Sequence, residues 1–265
     1  MYSSIPLLYQ RYRIYGSING VKKFLAIGIG MMIAFPAHAQ VRWDDFGGAN
    51  GWKARTKPPV CASNLGLRLP IDSKKVTGVL YPGQTRGGNY KPHGGFRFDK
   101  SKNKDITVKI PLDASLVRAS RYIEGGEVQY YFVFVSDCGI MYRFDHLLTL
   151  TPKFQAIANT LPAAKKDDSR TTDFTKPYVV KKGEVLATAV GFSKTKNVSV
   201  DFGLFDLRQK NTASKNASWA RSHANDSTAP YGLCMLDMFS AADKKKLRSL
   251  PAADGKSGKK SDYCK

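Results

Sequence analysis

The sequence predicts an all-β fold, an antiparallel β-sheet or sandwich, from three observations. Short runs rich in β-branched and aromatic residues recur from Val76 onward: VTGVLYP, ITVKI, EVQYYFVFV, GIMYRF, EVLATAV and NVSVDFGLFD. Clusters of Gly, Pro, Asp and Asn separate these runs, as tight turns require. No internal repeat or heptad pattern competes with them, and an apolar content of 42% suffices for one core.

Residues 1–39 read as a secretory leader. Arg11, Arg13, Lys22 and Lys23 precede the apolar run Phe24 to Phe35, and Ala37-His38-Ala39 offers small residues where a signal peptidase cuts. That run is shorter than the ~20 residues a membrane span needs. Cleavage after Ala39 would leave 226 of the 265 residues, with no transmembrane anchor and a periplasmic or secreted destination. The stretch before Lys22 is long for a leader, which puts the start codon itself in question.

Residues 40–75 follow as an extension rich in Gly, Pro and Trp. It is expected to wrap the core, with Trp43 and Trp52 as anchors. Residues 76–208 form the β domain. Within it, Glu127 to Val135 is apolar on both faces towards its end and reads as a central strand, reached through a hairpin at Gly125 and Gly126. A helical turn or two is expected from Pro152 to Thr160, and an exposed loop over the charged stretch Lys165 to Lys176. Residues 209–265 hold a Ser- and Asn-rich excursion, then a short C-terminal helix. Ser240 with Asp243 resembles a helix start, and Pro251 marks the stop.

Four cysteines survive leader removal, an even number in an exported chain, so two disulfides are expected: Cys61, Cys138, Cys234 and Cys264. Three pairings are possible. Cys234 with Cys264 is favoured because the Lys- and Gly-rich tail between them would otherwise fray, which leaves Cys61 to fasten the extension to Cys138. No C-x-x-C spacing supports a zinc knuckle or a thioredoxin-like site.

The net charge of +21 becomes about +17 without the four basic leader residues. Such a field favours anionic partners and weakens with salt. In an envelope these are peptidoglycan or another anionic polymer, with an envelope protein as a further partner. No nucleic-acid motif is present, and a well-hydrated surface explains the charge equally well.

Three segments carry the chemistry: PHGGFRFD at 92–99, YRFDHL at 142–147 and SVDFGLFD at 199–206. Their order, spacing and intervening turns, from about Gly78 to Asp206, resemble the lysostaphin/LytM-type zinc endopeptidases. That family has a His-x-x-x-Asp pair, then a His followed by Leu, then a His-x-His pair. The chain keeps His93 and places Arg97 at the Asp position. It keeps His146 before Leu147, and offers Ser199 and Asp201 for the last pair.

The resemblance implies a degenerate metal position at His93, Arg97 and Asp201. An arginine cannot ligate zinc, so no cofactor is expected. The expected arrangement is an Arg97–Asp201 ion pair filling the vacated position, with His93 hydrogen-bonded to one of them. The resulting reading is a non-catalytic envelope protein that binds peptidoglycan peptide or a partner protein through its groove. Two alternatives stand. One is an active zinc endopeptidase with His93, Asp201 and a bulge-shifted Asp99 as ligands and His146 as the catalytic histidine. The other is a structural envelope protein with a closed groove.

Plainer roles stand beside these. His93 after Pro92 suits a surface turn, His146 before two leucines suits a core histidine, and Ser199 suits an ordinary strand position. His223 reads as solvent-exposed, and Tyr122, Tyr130, Tyr131 and Tyr142 as sheet packing. Asp145, in an extended segment, would face away from His146.

Overall fold

A computed structural model describes residues 40–265, and the leader reading lies outside the described residues. The extension opens with a two-stranded ribbon, β1 (Trp43–Asp45) and β2 (Trp52–Ala54). Of the expected runs, VTGVLYP holds β3 (Gly78–Leu80) and ITVKI holds β7 (Val108–Lys109), and between them lie a hairpin of β4 (Gln84–Arg86) and β5 (Asn89–Lys91) and then β6 (Gly94–Arg97). Three long strands follow: β8 (Ala114–Glu124), β9 (Glu127–Val135) and β10 (Ile140–Leu150). Helix α1 (Pro152–Asn159) leads to β11 (Thr172–Val180), β12 (Val185–Val190) and β13 (Ser199–Asp206). The chain ends through α2 (Ala217–Ser222) and α3 (Ala241–Ser249).

The main sheet is antiparallel throughout, in the order β11-β8-β9-β10-β13-β6-β3, with β12 and β7 attached through β10. Strand β10 changes partner partway. Ile140 to Asp145 pair with β13, whereas Leu147 to Leu150 pair with β12. The described residues are thus all-β with a few short helices, and they fall in one compact unit.

Alternation along the strands gives the sheet two different faces. One carries Phe96, Phe132, Phe134, Tyr142, Phe144 and Phe202, all fully buried. Their rings pack closely, as in Phe134 against Tyr142 at 5.0 Å between centroids and Phe144 against Phe202 at 5.1 Å. The other face is apolar at one end only. There Trp43 and Trp52 of the ribbon lie on Val133, Val135, Met141 and Phe205, so the extension does anchor through its tryptophans. The central strand β9 is apolar on both faces because each face is covered.

Two long strands lie where the sequence predicts none. Strand β8 carries Arg118 and Arg121 among small residues and a register shift between Leu116 and Arg118, so it lacks the apolar alternation of its neighbours. The second correction is the loop expected over Lys165 to Lys176. From Thr172 the chain is the edge strand β11, and its polar composition reflects half-exposure and the Arg118–Asp173 ion pair. The expected helices form: α1 starts at Pro152, and Ser240 caps α3 by accepting the Asp243 N–H.

Cys61 pairs with Cys138 in the β9–β10 turn, and Cys234 with Cys264. The closed tail then covers the free edge of β3, where Val79 exchanges backbone hydrogen bonds with Pro251 and Ala253. No helix among the described residues is long and apolar enough to cross a membrane. The Cys234–Cys264 separation of 30 residues corresponds to a loop-closure contribution of roughly 3 to 4 kcal/mol. Replacing both cysteines with alanine should lower unfolding stability by about that amount in urea titrations. An unchanged midpoint would show that the tail is held by its other contacts alone.

Candidate functional site

The sheet face opposite the phenylalanine core becomes polar where β6, β13 and β10 run side by side. Their register sets Gly95 against Asp201, and Asp201 in turn against Asp145. One same-face step along, Gly203 lies opposite Arg143. Two glycines clear this strip. A Cβ at Gly203 would meet Arg143 Cγ and His93 Cβ at 2.9 Å each, and one at Gly95 would meet Asp201 Oδ1 at 3.0 Å. With hydrogen at both positions, His93, Arg143 and Asp201 sink towards the backbone.

There, residues from all three motifs meet. His93 Nε2 lies 2.9 Å from Asp201 Oδ2, and His146 Nε2 lies 3.7 Å from the same oxygen. His146 Nδ1 is 3.9 Å from Glu124 Oε2. Beside them Arg143 lies over the Tyr131 ring at 4.5 Å, and its Nη2 is 3.4 Å from Asp145 Oδ2. Tyr122 donates its hydroxyl hydrogen to Asp145 Oδ1 at 2.7 Å. From the adjoining hairpin, Arg86 donates to the His93 carbonyl at 3.0 Å. A cleft of about 220 Å³ lined by Arg118, Tyr131, Arg143, Asp145, Ser169 and Thr171 opens next to this cluster.

His146 reaches the strip through a β-bulge. Between Phe144 and Leu147 strand β10 advances three residues while β9 advances two. Phe144 and Leu147 are both fully buried. The extra residue therefore places Asp145 and His146 together on the polar face, which corrects the expectation that they point apart. His146 adopts φ 59°, a left-handed conformation unusual for a non-glycine residue. Its N–H is accepted by Asp145 Oδ1 at 2.9 Å, which fixes the turn.

Charge is balanced inside the cluster. Burial, and after it the Arg143 charge, lowers the pKa of His93 to about 4. The imidazole is therefore neutral near pH 7 and donates Nε2–H to Asp201. Burial alone would raise the Asp201 carboxyl, but the His93 hydrogen bond and the Arg143 charge hold it well below the usual carboxylate range. Burial also lowers Arg86, and it raises Tyr122 with help from Asp145. Two guanidiniums, Arg86 and Arg143, thus face two carboxylates, Asp145 and Asp201. Within this network His93 Nδ1, His146 Nδ1 and Arg143 Nε are buried without a protein hydrogen-bond partner.

The expected Arg97–Asp201 pair does not form. Arg97 lies opposite Ser199, one same-face step from Asp201. It turns outward to Asp99, with Nη2 and Nε at 2.7 and 3.1 Å from Oδ1. Staying half-exposed with a neighbouring carboxylate avoids the cost of burying a further charge. Asp99 is held there by Thr77 and does not join the cluster, so the bulge-shifted ligand role is not seen. Zinc needs three anionic or neutral donors. The chain supplies His93 and Asp201 already bonded to each other, a guanidinium at position 97 and another at Arg143. Among the described residues no three His, Cys, Asp or Glu side chains are grouped to hold a metal ion, so the donor set does not fit a zinc ion.

No family model, curated protein or solved structure matches this chain. The site therefore rests on its own geometry. His93 is buried rather than on a surface turn, and Ser199 is a buried strand residue. Tyr130 and Tyr142 are packing residues, whereas Tyr122 and Tyr131 serve the cluster. His223, expected to be exposed, stacks on Tyr90 with centroids 3.9 Å apart and on Trp219 at 4.4 Å. Sequence reasoning missed Arg143, Tyr122 and Arg86. The signal for Arg143 lay within YRFDHL, as a charged residue between the fully buried Tyr142 and Phe144.

A histidine that ionises near pH 6.5 when unfolded and near 4 when folded stabilises the fold fully above pH 6.5. That contribution is lost as pH falls towards 4, about 3 kcal/mol in all. Asp201, held low, adds to the loss at still more acid pH. The urea midpoint should therefore fall between pH 6.5 and 4, and fall less steeply in His93→Gln. Equal slopes would show that His93 is not buried in its neutral form.

Proposed function

We propose that this chain is an exported, non-catalytic relative of the lysostaphin/LytM-type peptidases that holds an extended cell-wall peptide in its groove without cutting it. The observation that carries the reading is the meeting of His93 and Asp201, from motifs 108 residues apart, at 2.9 Å on one sheet face. His146 of the middle motif lies on the same face, as the order of the three motifs implies. The Arg143 guanidinium, over Tyr131 and beside Asp145, adds a fixed positive charge to this strip, which favours binding over metal-assisted hydrolysis. The two disulfides agree with an oxidising compartment. The basic surface suits an anionic polymer, and a segment of an envelope protein would use the same strip.

The divergent-peptidase reading draws support from His146, whose Nε2 lies 3.7 Å from Asp201 Oδ2 and could serve as a third donor after a small movement. One experiment separates these readings. The chain without residues 1–39 is incubated with purified sacculi at low and raised salt, and pelleting and turbidity are followed. Salt-sensitive pelleting at constant turbidity is expected. Turbidity loss that requires added zinc would replace the binder with an enzyme. Absence of pelleting at low salt would leave a structural protein with a closed groove.

A further inference from the structure

We infer that the cleft beside the polar strip is a carboxylate site, in which the Arg143 guanidinium and the Ser169 and Thr171 hydroxyls receive the free α-carboxylate at the end of a bound peptide. The inference rests on the binding reading above only for the ligand's being a peptide. The carboxylate site itself stands on the donors that the cleft leaves open.

A guanidinium offers five N–H donors, and one shielded from water usually has them filled. The Arg143 side chain is 16% exposed. Among the described residues its one hydrogen bond runs from Nη2 to Asp145 Oδ2 at 3.4 Å, long for an N–H···O bond. Its Nε is buried without a hydrogen-bond partner, and its Nη1 donates to no protein acceptor there. Asp145 is held through its other oxygen, which accepts from the Tyr122 hydroxyl and the His146 N–H. The two-bond fork usual for arginine and carboxylate therefore does not close.

Arg118 also lines the cleft, but its guanidinium is filled by Asp173 and Asp45. Those two carboxylates are thereby engaged, and among the described residues Asp145 alone brings a carboxylate to the lining. Ser169 and Thr171 are exposed, and neither hydroxyl is bonded within the described residues. The cleft is thus rich in donors and short of acceptors.

Size and charge narrow the ligand. A volume of about 220 Å³ lies below the ~300 Å³ at which a pocket takes a whole small molecule, so it suits the end of a longer chain. Thr171 also lines a neighbouring cleft that carries Arg121, Lys165 and Arg170 against Asp168. That positive surplus draws an anion towards Arg143. Inside, Arg86 and Arg143 already balance Asp145 and Asp201, so one negative charge is accommodated where a doubly charged phosphate would leave an excess at low dielectric. A flat, singly charged carboxylate also matches the planar guanidinium. A peptide whose end is joined in an amide cross-link lacks that group, and an uncross-linked end has it.

The test uses the chain without residues 1–39 and acetylated trialanine, as the free acid and as the C-terminal amide, titrated by calorimetry up to millimolar peptide. Acetate and inorganic phosphate serve as competitors. The free acid should bind at least about tenfold more tightly than the amide, and acetate should compete better than phosphate. Ser169→Ala combined with Thr171→Ala should cut the preference for the acid several-fold at an unchanged melting temperature. Arg143→Gln should abolish it, and Arg143→Lys, which keeps the charge without the fork, should keep only part.

Equal binding of acid and amide by the wild type, or binding of neither, would overturn the inference. So would phosphate competing better than acetate, which would mark a general anion site, or an undiminished preference in the double alanine variant. Should Arg143→Gln fail to fold, the double variant still decides. Pelleting with sacculi while acid and amide bind equally would leave the binder standing without this site. A preference for the acid without pelleting would keep the site and remove the binder.

Discussion

Buried charge in the middle of a sheet is the constraint to which the rest of this molecule answers. Removing side chains at Gly95 and Gly203 lets His93, Arg143 and Asp201 descend onto the backbone of β6, β10 and β13. Once there, each charge needs a partner, because an unpaired buried ion costs several kcal/mol or more. The surrounding architecture supplies these partners. The β4–β5 hairpin brings Arg86 to the His93 carbonyl, strand β8 brings Tyr122 to Asp145, and strand β9 places Tyr131 under Arg143. The apolar end of the same face is sealed by Trp43 and Trp52, and the Cys61–Cys138 bridge ties the chain after that ribbon to the β9–β10 turn.

The balance between attraction and desolvation explains which ion pairs are inside. Asp201 and His93 interact through one short hydrogen bond in which the histidine is neutral, so only the carboxylate is an ion, and its desolvation is offset by Arg143 and Arg86. Arg97 directs two nitrogens at one Asp99 oxygen, yet the pair lies at the rim with side chains 34% and 54% exposed. In that setting a pair contributes ~1 kcal/mol at most. Its effect is on occupancy, since it draws the Arg97 fork away from the buried strip.

Much of the architecture could be read from residue patterns. Phe132, Phe134, Phe144 and Phe202 announce their strands by alternation, Trp43 and Trp52 anchor as large apolar residues in a loop should, and Ser240 with Asp243 caps its helix by local hydrogen bonding. Strand β8 escaped because its outward positions hold Arg118 and Arg121, which pair with Asp173 and with backbone carbonyls of a loop far along the chain. No local pattern encodes such partners. The site was legible as a set of residues and illegible as a geometry. His93, His146 and Asp201 were named from their motifs. The direction in which Arg97 turns depends on strand register, and the guanidinium beside Asp201 proved to be Arg143, four residues before the end of YRFDHL.

The bulge at Asp145 and His146 joins fold to site. It is where β10 leaves β13 and takes up β12, so an extra residue there changes strand partner and puts two polar groups on one face. A regular strand would send one of them into the phenylalanine core, where Phe144 and Leu147 now sit. The left-handed conformation of His146 costs about 1 kcal/mol or more, and Asp145 offsets it by accepting the His146 N–H. Glycine would meet the backbone requirement with less strain. It would also remove the imidazole that shares the Asp201 oxygen, so backbone relief alone does not account for the residue found there. The strained histidine marks the point where the polar strip, rather than the sheet, sets the identity of the side chain.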